Sequence, residues 1–71
     1  MKNNIRVERA IMKISQQELA DRIGVSRQTI NAIELEKYVP SATVIMKIAH
    51  IFGKKVEDIL NNNLKEQTDV L

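Results

Sequence analysis

The sequence predicts an all-α fold, a compact five-helix bundle, on three observations. Apolar residues recur at helical spacing, first Leu19, Ile23, Ile30 and Ile33, then Ile45, Ile48, Ala49 and Phe52. Serines stand where three of the runs begin, at Ser15, Ser26 and Ser41, and glycines where two of them stop, at Gly24 and Gly53. The chain of 71 residues is 44% hydrophobic but only 3% aromatic, so its interior must be built from Ile, Val, Leu and Ala. A core of that size is marginal alone and gains from a partner subunit.

Asn3 or Asn4 is placed to cap a first helix that runs to about Met12. Its inward stripe reads Ile5, Arg9 and Met12, with Glu8 on the margin. A charge on an inward stripe needs a partner. Periodicity turns a second charge inward at Glu34, about 40° from Ile30 around the third helix. The spacing therefore predicts an ion pair between Arg9 and Glu34 across the core; the alternative is two solvated charges beside the stripe. Lys13 and Ile14 link to the second helix, with Ile14 as its hydrophobic staple.

Ser15 caps the second helix, and Glu18 three residues on suggests a reciprocal capping box. Gly24 ends it in the left-handed conformation, and Ser26 caps a third helix almost at once. Helices joined by so short a turn cross steeply, which requires small or apolar residues such as Ala20 at the crossing. Because Ile30 and Ile33 share the inner face of the third helix, Gln28, Asn31, Ala32 and Leu35 are turned outward. Gln and Asn there suit paired hydrogen bonds with adenine, Ala suits a thymine methyl, and Arg27 on the flank suits a guanine edge or a phosphate.

The segment 36–40 reads as a loop, since Pro40 drives Val39 out of helical conformation. Ser41 opens a fourth helix over 42–52, with Ile45, Ile48, Ala49 and Phe52 inward and Val44 and Ile51 flanking. Val56 to Leu60 forms a short fifth helix that closes the bundle. Residues 1–60 make one domain. The tail, 61–71, loses helical periodicity and is expected to be disordered or to join an interface between subunits.

The stretch RQTINAIE, Arg27 to Glu34, followed by Lys37, Tyr38, Pro40 and Ser41, resembles the Cro/C1-type (XRE-like) helix-turn-helix family, in particular its short bacterial and archaeal transcriptional regulators. The likeness runs from about Asn4 to Leu60. It implies a lambda-repressor-like bundle and a sequence-specific, dimeric regulator of transcription that lays its third helix in the major groove of double-stranded DNA. On this reading Arg27, Gln28, Asn31 and Ala32 contact bases, and Gln16, Ser26, Lys37, Tyr38 and Ser41 contact the DNA backbone. The bland alternatives are a tolerated polar residue at Gln16, a Tyr38 packed over the loop, and a purely capping Ser41. The resemblance also implies the Arg9 to Glu34 bridge. It points to a homodimer through Val56, Ile59, Leu60 and Leu64, which would read an inverted repeat. A repressor is expected, because so short a chain leaves little room for a ligand domain or an activation surface.

Charge is distributed as that reading requires, with a basic body and an acidic end. Residues 1–55 carry ten Lys or Arg against five Asp or Glu, whereas residues 56–71 carry one against four. With no cysteine and no long apolar run, a cytoplasmic protein outside the membrane is expected. His50 is outward beside Thr43 and Lys47, and a lone His is seldom a metal ligand. No metal, cofactor, small-molecule ligand or enzymatic activity is expected, because there is neither a converging carboxylate pair nor a phosphate-binding glycine loop.

Three residues depart from the family pattern. Glu36 stands where relatives carry Gly or Asn, Leu35 occupies an outward position often polar, and Glu8 replaces a common Leu. With the tail, they leave open a second function, a protein-interaction module of the same fold such as an antitoxin or anti-repressor.

Overall fold

The computed structural model describes residues 2–60. Five helices follow in order: α1 (Ile5–Met12), α2 (Gln16–Ile23), α3 (Arg27–Glu34), α4 (Ala42–Phe52) and α5 (Val56–Ile59). They close around one core in which Ile5, Leu19, Ile30, Ile33, Ile48 and Ile59 are fully buried. Val25, Val44, Ile51, Val56 and Leu60 pack on its edge. This is the all-α five-helix bundle with a helix-turn-helix that the periodicity predicts.

The helix starts follow the serines. The hydroxyls of Ser15, Ser26 and Ser41 accept the backbone N–H of Glu18, Thr29 and Val44. Each satisfies a donor that the first turn leaves open, a contribution of about 1 kcal/mol. The Glu18 half of the expected capping box differs: its carboxylate turns along the helix to Arg22 at 3.1 Å. An exposed i,i+4 ion pair has taken the side chain.

The helix ends share a device the sequence showed only in part. Among the described residues, four have positive φ, namely Gly24 and Gly53 but also Lys13 and Glu36. After α1, the N–H of Ile14 reaches the Arg9 carbonyl and that of Lys13 the Ala10 carbonyl. After α3, Lys37 N–H bonds Ala32 O and Glu36 N–H bonds Ile33 O. Both are complete Schellman closures in which a residue with a Cβ holds the place glycine usually takes. Met12, expected on the inward stripe, is 39% exposed, because the reversal at Lys13 sends Ile14 into the core instead.

The N-terminal segment adds a second feature. Asn3 forms an isolated antiparallel bridge with Leu60, and Asn4 N–H donates to the Ile59 carbonyl at 2.8 Å. Leu60 therefore ends α5 in extended conformation instead of continuing it. Asn3 Oδ1 accepts the Ile5 N–H, and its Nδ2 donates to the Ile33 carbonyl. That amide ties the start of α1 to the end of α3.

Candidate nucleic-acid interface

The outward face of α3 is set by what the core takes. Ile30 and Ile33 are buried, so the helix leaves Arg27 and Gln28 exposed and Asn31 and Ala32 half-buried on the opposite side and flank. Leu35, the C-cap, is also exposed. Two amide side chains and a methyl group thus line one helical surface, flanked by a guanidinium. The chemistry of that surface is hydrogen-bond donation and acceptance in a plane, with an apolar patch beside it.

Around this surface stand the residues expected at a phosphate backbone. Ser26 keeps its hydroxyl on the α3 N-terminus, 2.9 Å from Thr29 Oγ1, and either oxygen is able to donate. When Thr29 donates, Ser26 retains a proton for an outside acceptor. Lys37 is exposed, and its backbone is pinned by the Schellman closure, so the turn at Glu36 fixes where its side chain starts. Tyr38 is about half exposed, Ser41 is exposed, and Ser41 serves as the α4 cap. Pro40 is buried between them and anchors the loop.

Behind the face lies an ionic network. Arg9 Nε donates to Glu34 Oε2 at 2.6 Å and Arg9 Nη2 to Oε1 at 3.1 Å, a bidentate fork that joins α1 to α3. The Glu34 side chain is 1% exposed and that of Arg9 15%. Arg9 Nη1 also donates to the Ile14 carbonyl, so the guanidinium braces the α1 reversal as well. The hydrogen bond to Glu34, helped by its charge and opposed by burial, raises the Arg9 pKa above its ordinary value. The guanidinium is therefore permanently charged.

Two members of this network were not foreseen in the sequence. Arg6, exposed and one turn before Arg9, brings Nε to 3.9 Å from Glu34 Oε1; its i,i+3 relation to Arg9 was the available signal. Gln16, expected at a phosphate, turns its amide inward. Its Nε2 lies 3.1 Å from Asn31 Oδ1 and 3.2 Å from Glu34 Oε1. The backbone N–H of Gln16, first residue of α2, is one of those that a helix start leaves without an intrahelical partner.

The expected interface between subunits changes by one residue. Ile59 is 0% exposed within its own core and has no surface to offer a partner. The periodicity of a four-residue helix was too short to separate inward from outward there. Val56 and Leu60 are half-buried and remain accessible; Leu64 lies outside the described residues. Among the described residues no group of His, Cys, Asp or Glu is arranged to hold a metal ion, and no helix is long and apolar enough to cross a membrane.

Known proteins repeat this architecture. The family profile described as helix-turn-helix matches residues 5–59. An uncharacterized HTH-type transcriptional regulator of Methanocaldococcus jannaschii is 52% identical over 59 residues, which cover 83% of this chain and 89% of that protein. The uncharacterized HTH-type regulator YgzD of Bacillus subtilis is 44% identical, with 83% and 89% covered. In three dimensions, the crystal structure of the hypothetical transcription factor NHTF from Neisseria superposes with a TM-score of 0.74 at 24% identity, over 92% of this chain and 75% of its own. The last likeness is one of fold. With the profile spanning α1 to α5 and relatives of near-equal length at this identity, the chain belongs to the helix-turn-helix family.

Proposed function

We propose that this protein is a sequence-specific DNA-binding transcriptional regulator, a homodimeric repressor that lays α3 in the major groove of an inverted repeat. The observation that carries the reading is the α3 surface: Gln28, Asn31 and Ala32 are presented on a helix whose opposite face is locked by Ile30, Ile33 and the Arg9 to Glu34 fork. A helix held that rigidly presents its polar groups without a large ordering cost on binding. The names of the relatives, HTH-type transcriptional regulators, point the same way.

On this reading Gln28 and Asn31 hydrogen-bond base edges in the major groove, Ala32 meets a thymine methyl, and Arg27 takes a guanine edge or a phosphate. Ser26, Lys37, Tyr38, Ser41 and the Gln16 backbone N–H hold the sugar-phosphate backbone on either side and set the register. Repression follows from occupying a promoter. Val56, Leu60 and Leu64 supply the contact between subunits, and two-fold symmetry puts the half-sites about 34–36 Å apart or at a multiple of that spacing.

Pull-down of tagged protein from its native host, followed by identification of both DNA and protein partners, tests the proposal. Recovery of discrete promoter fragments supports it. One stoichiometric protein partner, with DNA affinity no better than non-specific, contradicts it and favours a protein-interaction module of the same fold.

A further inference from the structure

We infer that Gln16 is a positioning residue that fixes the direction of the Asn31 amide on the reading face, an inference that rests on the DNA-reading function proposed above. Donors and acceptors alternate along four side chains, Arg9, Glu34, Gln16 and Asn31. Arg9 is donor only, so the group it grips, Glu34, must accept. Both Glu34 oxygens accept from the Arg9 fork, so the end of Gln16 that meets Oε1 at 3.2 Å must be the NH2. The same nitrogen lies 3.1 Å from Asn31, which must then offer its oxygen. A flipped Asn31 would set N–H against N–H. No step of this chain can be reversed while Arg9 stays charged.

Two consequences follow. Both hydrogens of the Gln16 amide are spent inside the protein, and the oxygen that remains is an acceptor that cannot bind a phosphate. Gln16 therefore contributes its side chain to Asn31 and only its backbone N–H to the DNA backbone. Asn31 in turn has its Oδ1 partly occupied and its Nδ2 hydrogens open. An isolated Asn offers donor or acceptor with equal ease by rotating its amide. Held by Gln16, Asn31 leads with its donors and selects a base edge that accepts, a purine N7, guanine O6 or thymine O4, over the cytosine N4 donor.

The test replaces Gln16→Met, which keeps the length of the side chain and removes both hydrogen bonds. Two measurements are made on the full chain. In the free protein, the side-chain NH2 resonances of Asn31 are expected to shift while the backbone amides of Ile30 and Ile33 stay in place. In random-duplex selection, the base preference assigned to Asn31 by an Asn31→Ala control is expected to fall by at least about fivefold in Gln16→Met, the other positions holding. The double variant then loses no more preference than Asn31→Ala alone. Uniform weakening at every position, with a shallower salt dependence and preference intact, overturns the inference in favour of a phosphate contact by the side chain. Shifted resonances with unchanged preference also overturn it, and leave the DNA reading standing. A wild-type protein that enriches no sequence overturns both.

Discussion

Removing the carboxylate of Glu34 tests whether the buried ion pair organises the helix-turn-helix. In Glu34→Ala the Arg9 guanidinium, 15% exposed, loses both prongs of its fork and keeps only the bond to the Ile14 carbonyl. Stranding one partner of a buried pair costs about 3–5 kcal/mol. The residual exposure of Arg9 and its bond to Ile14 place this case at the low end, about 3 kcal/mol. A domain of this length has about 4–10 kcal/mol in total, so the variant loses about 30% or more of its stability. In urea denaturation followed by far-ultraviolet circular dichroism, with a slope of about 1 kcal/mol per molar, the midpoint falls by about 3 M. The paired variant Arg9→Met with Glu34→Leu recovers most of the loss, because no charge is left without a partner. The raised Arg9 pKa fixes the pH behaviour. A raised folded value stabilises fully below the unfolded one and is lost only as pH rises through the folded value, above the ordinary arginine range. The guanidinium's own contribution is therefore flat around neutrality. A loss under about 1 kcal/mol in Glu34→Ala would show that the pair does not organise the fold, since that is the worth of a solvated surface pair.

Four further outcomes are expected. Gly24→Ala places a Cβ in open space but at φ +78, so its cost, about 1–2 kcal/mol by urea denaturation, is strain of the backbone alone. Glu36→Gly relieves the opposite situation at φ 63 and raises stability by about 0.5–1 kcal/mol, smaller than the full strain because glycine is freer in the unfolded chain. Gln28→Ala costs about 1–3 kcal/mol on the preferred duplex and relaxes one base position, whereas Lys37→Ala weakens all duplexes alike and lowers the salt slope by about one; anisotropy titrations across salt concentrations separate the two. Leu64→Asp shifts the protein to monomer in sedimentation equilibrium without changing its helical signal.

The features legible in the sequence were those where one residue type answers one physical need. Ser15, Ser26 and Ser41 announced helix starts because few other side chains satisfy an open N–H there. Gly24 announced its turn because glycine takes a left-handed φ, here 78, with no Cβ penalty. The charges at Arg9 and Glu34 stood out because periodicity left them no solvent, and the structure joins them directly. Lys13 was missed because a lysine is silent about φ: its left-handed conformation belongs to the Schellman closure that turns Ile14 into the core. The bridge between Asn3 and Leu60 depends on a contact across nearly the whole domain, and no local pattern records it. Gln16 carried a polar side chain at a helix start, and only the distance to Asn31 and Glu34 shows that it turns inward.

Selection of bound duplexes from a random library at near-physiological salt, followed by sequencing, separates base reading by α3 from attraction to phosphate. The expected result is an enriched inverted repeat with half-sites about one helical turn apart or a multiple of it, and a base position that loses its preference in Gln28→Ala. Binding that enriches no sequence and vanishes as salt rises would contradict it, leaving α3 with an attraction for phosphate and no power to read bases.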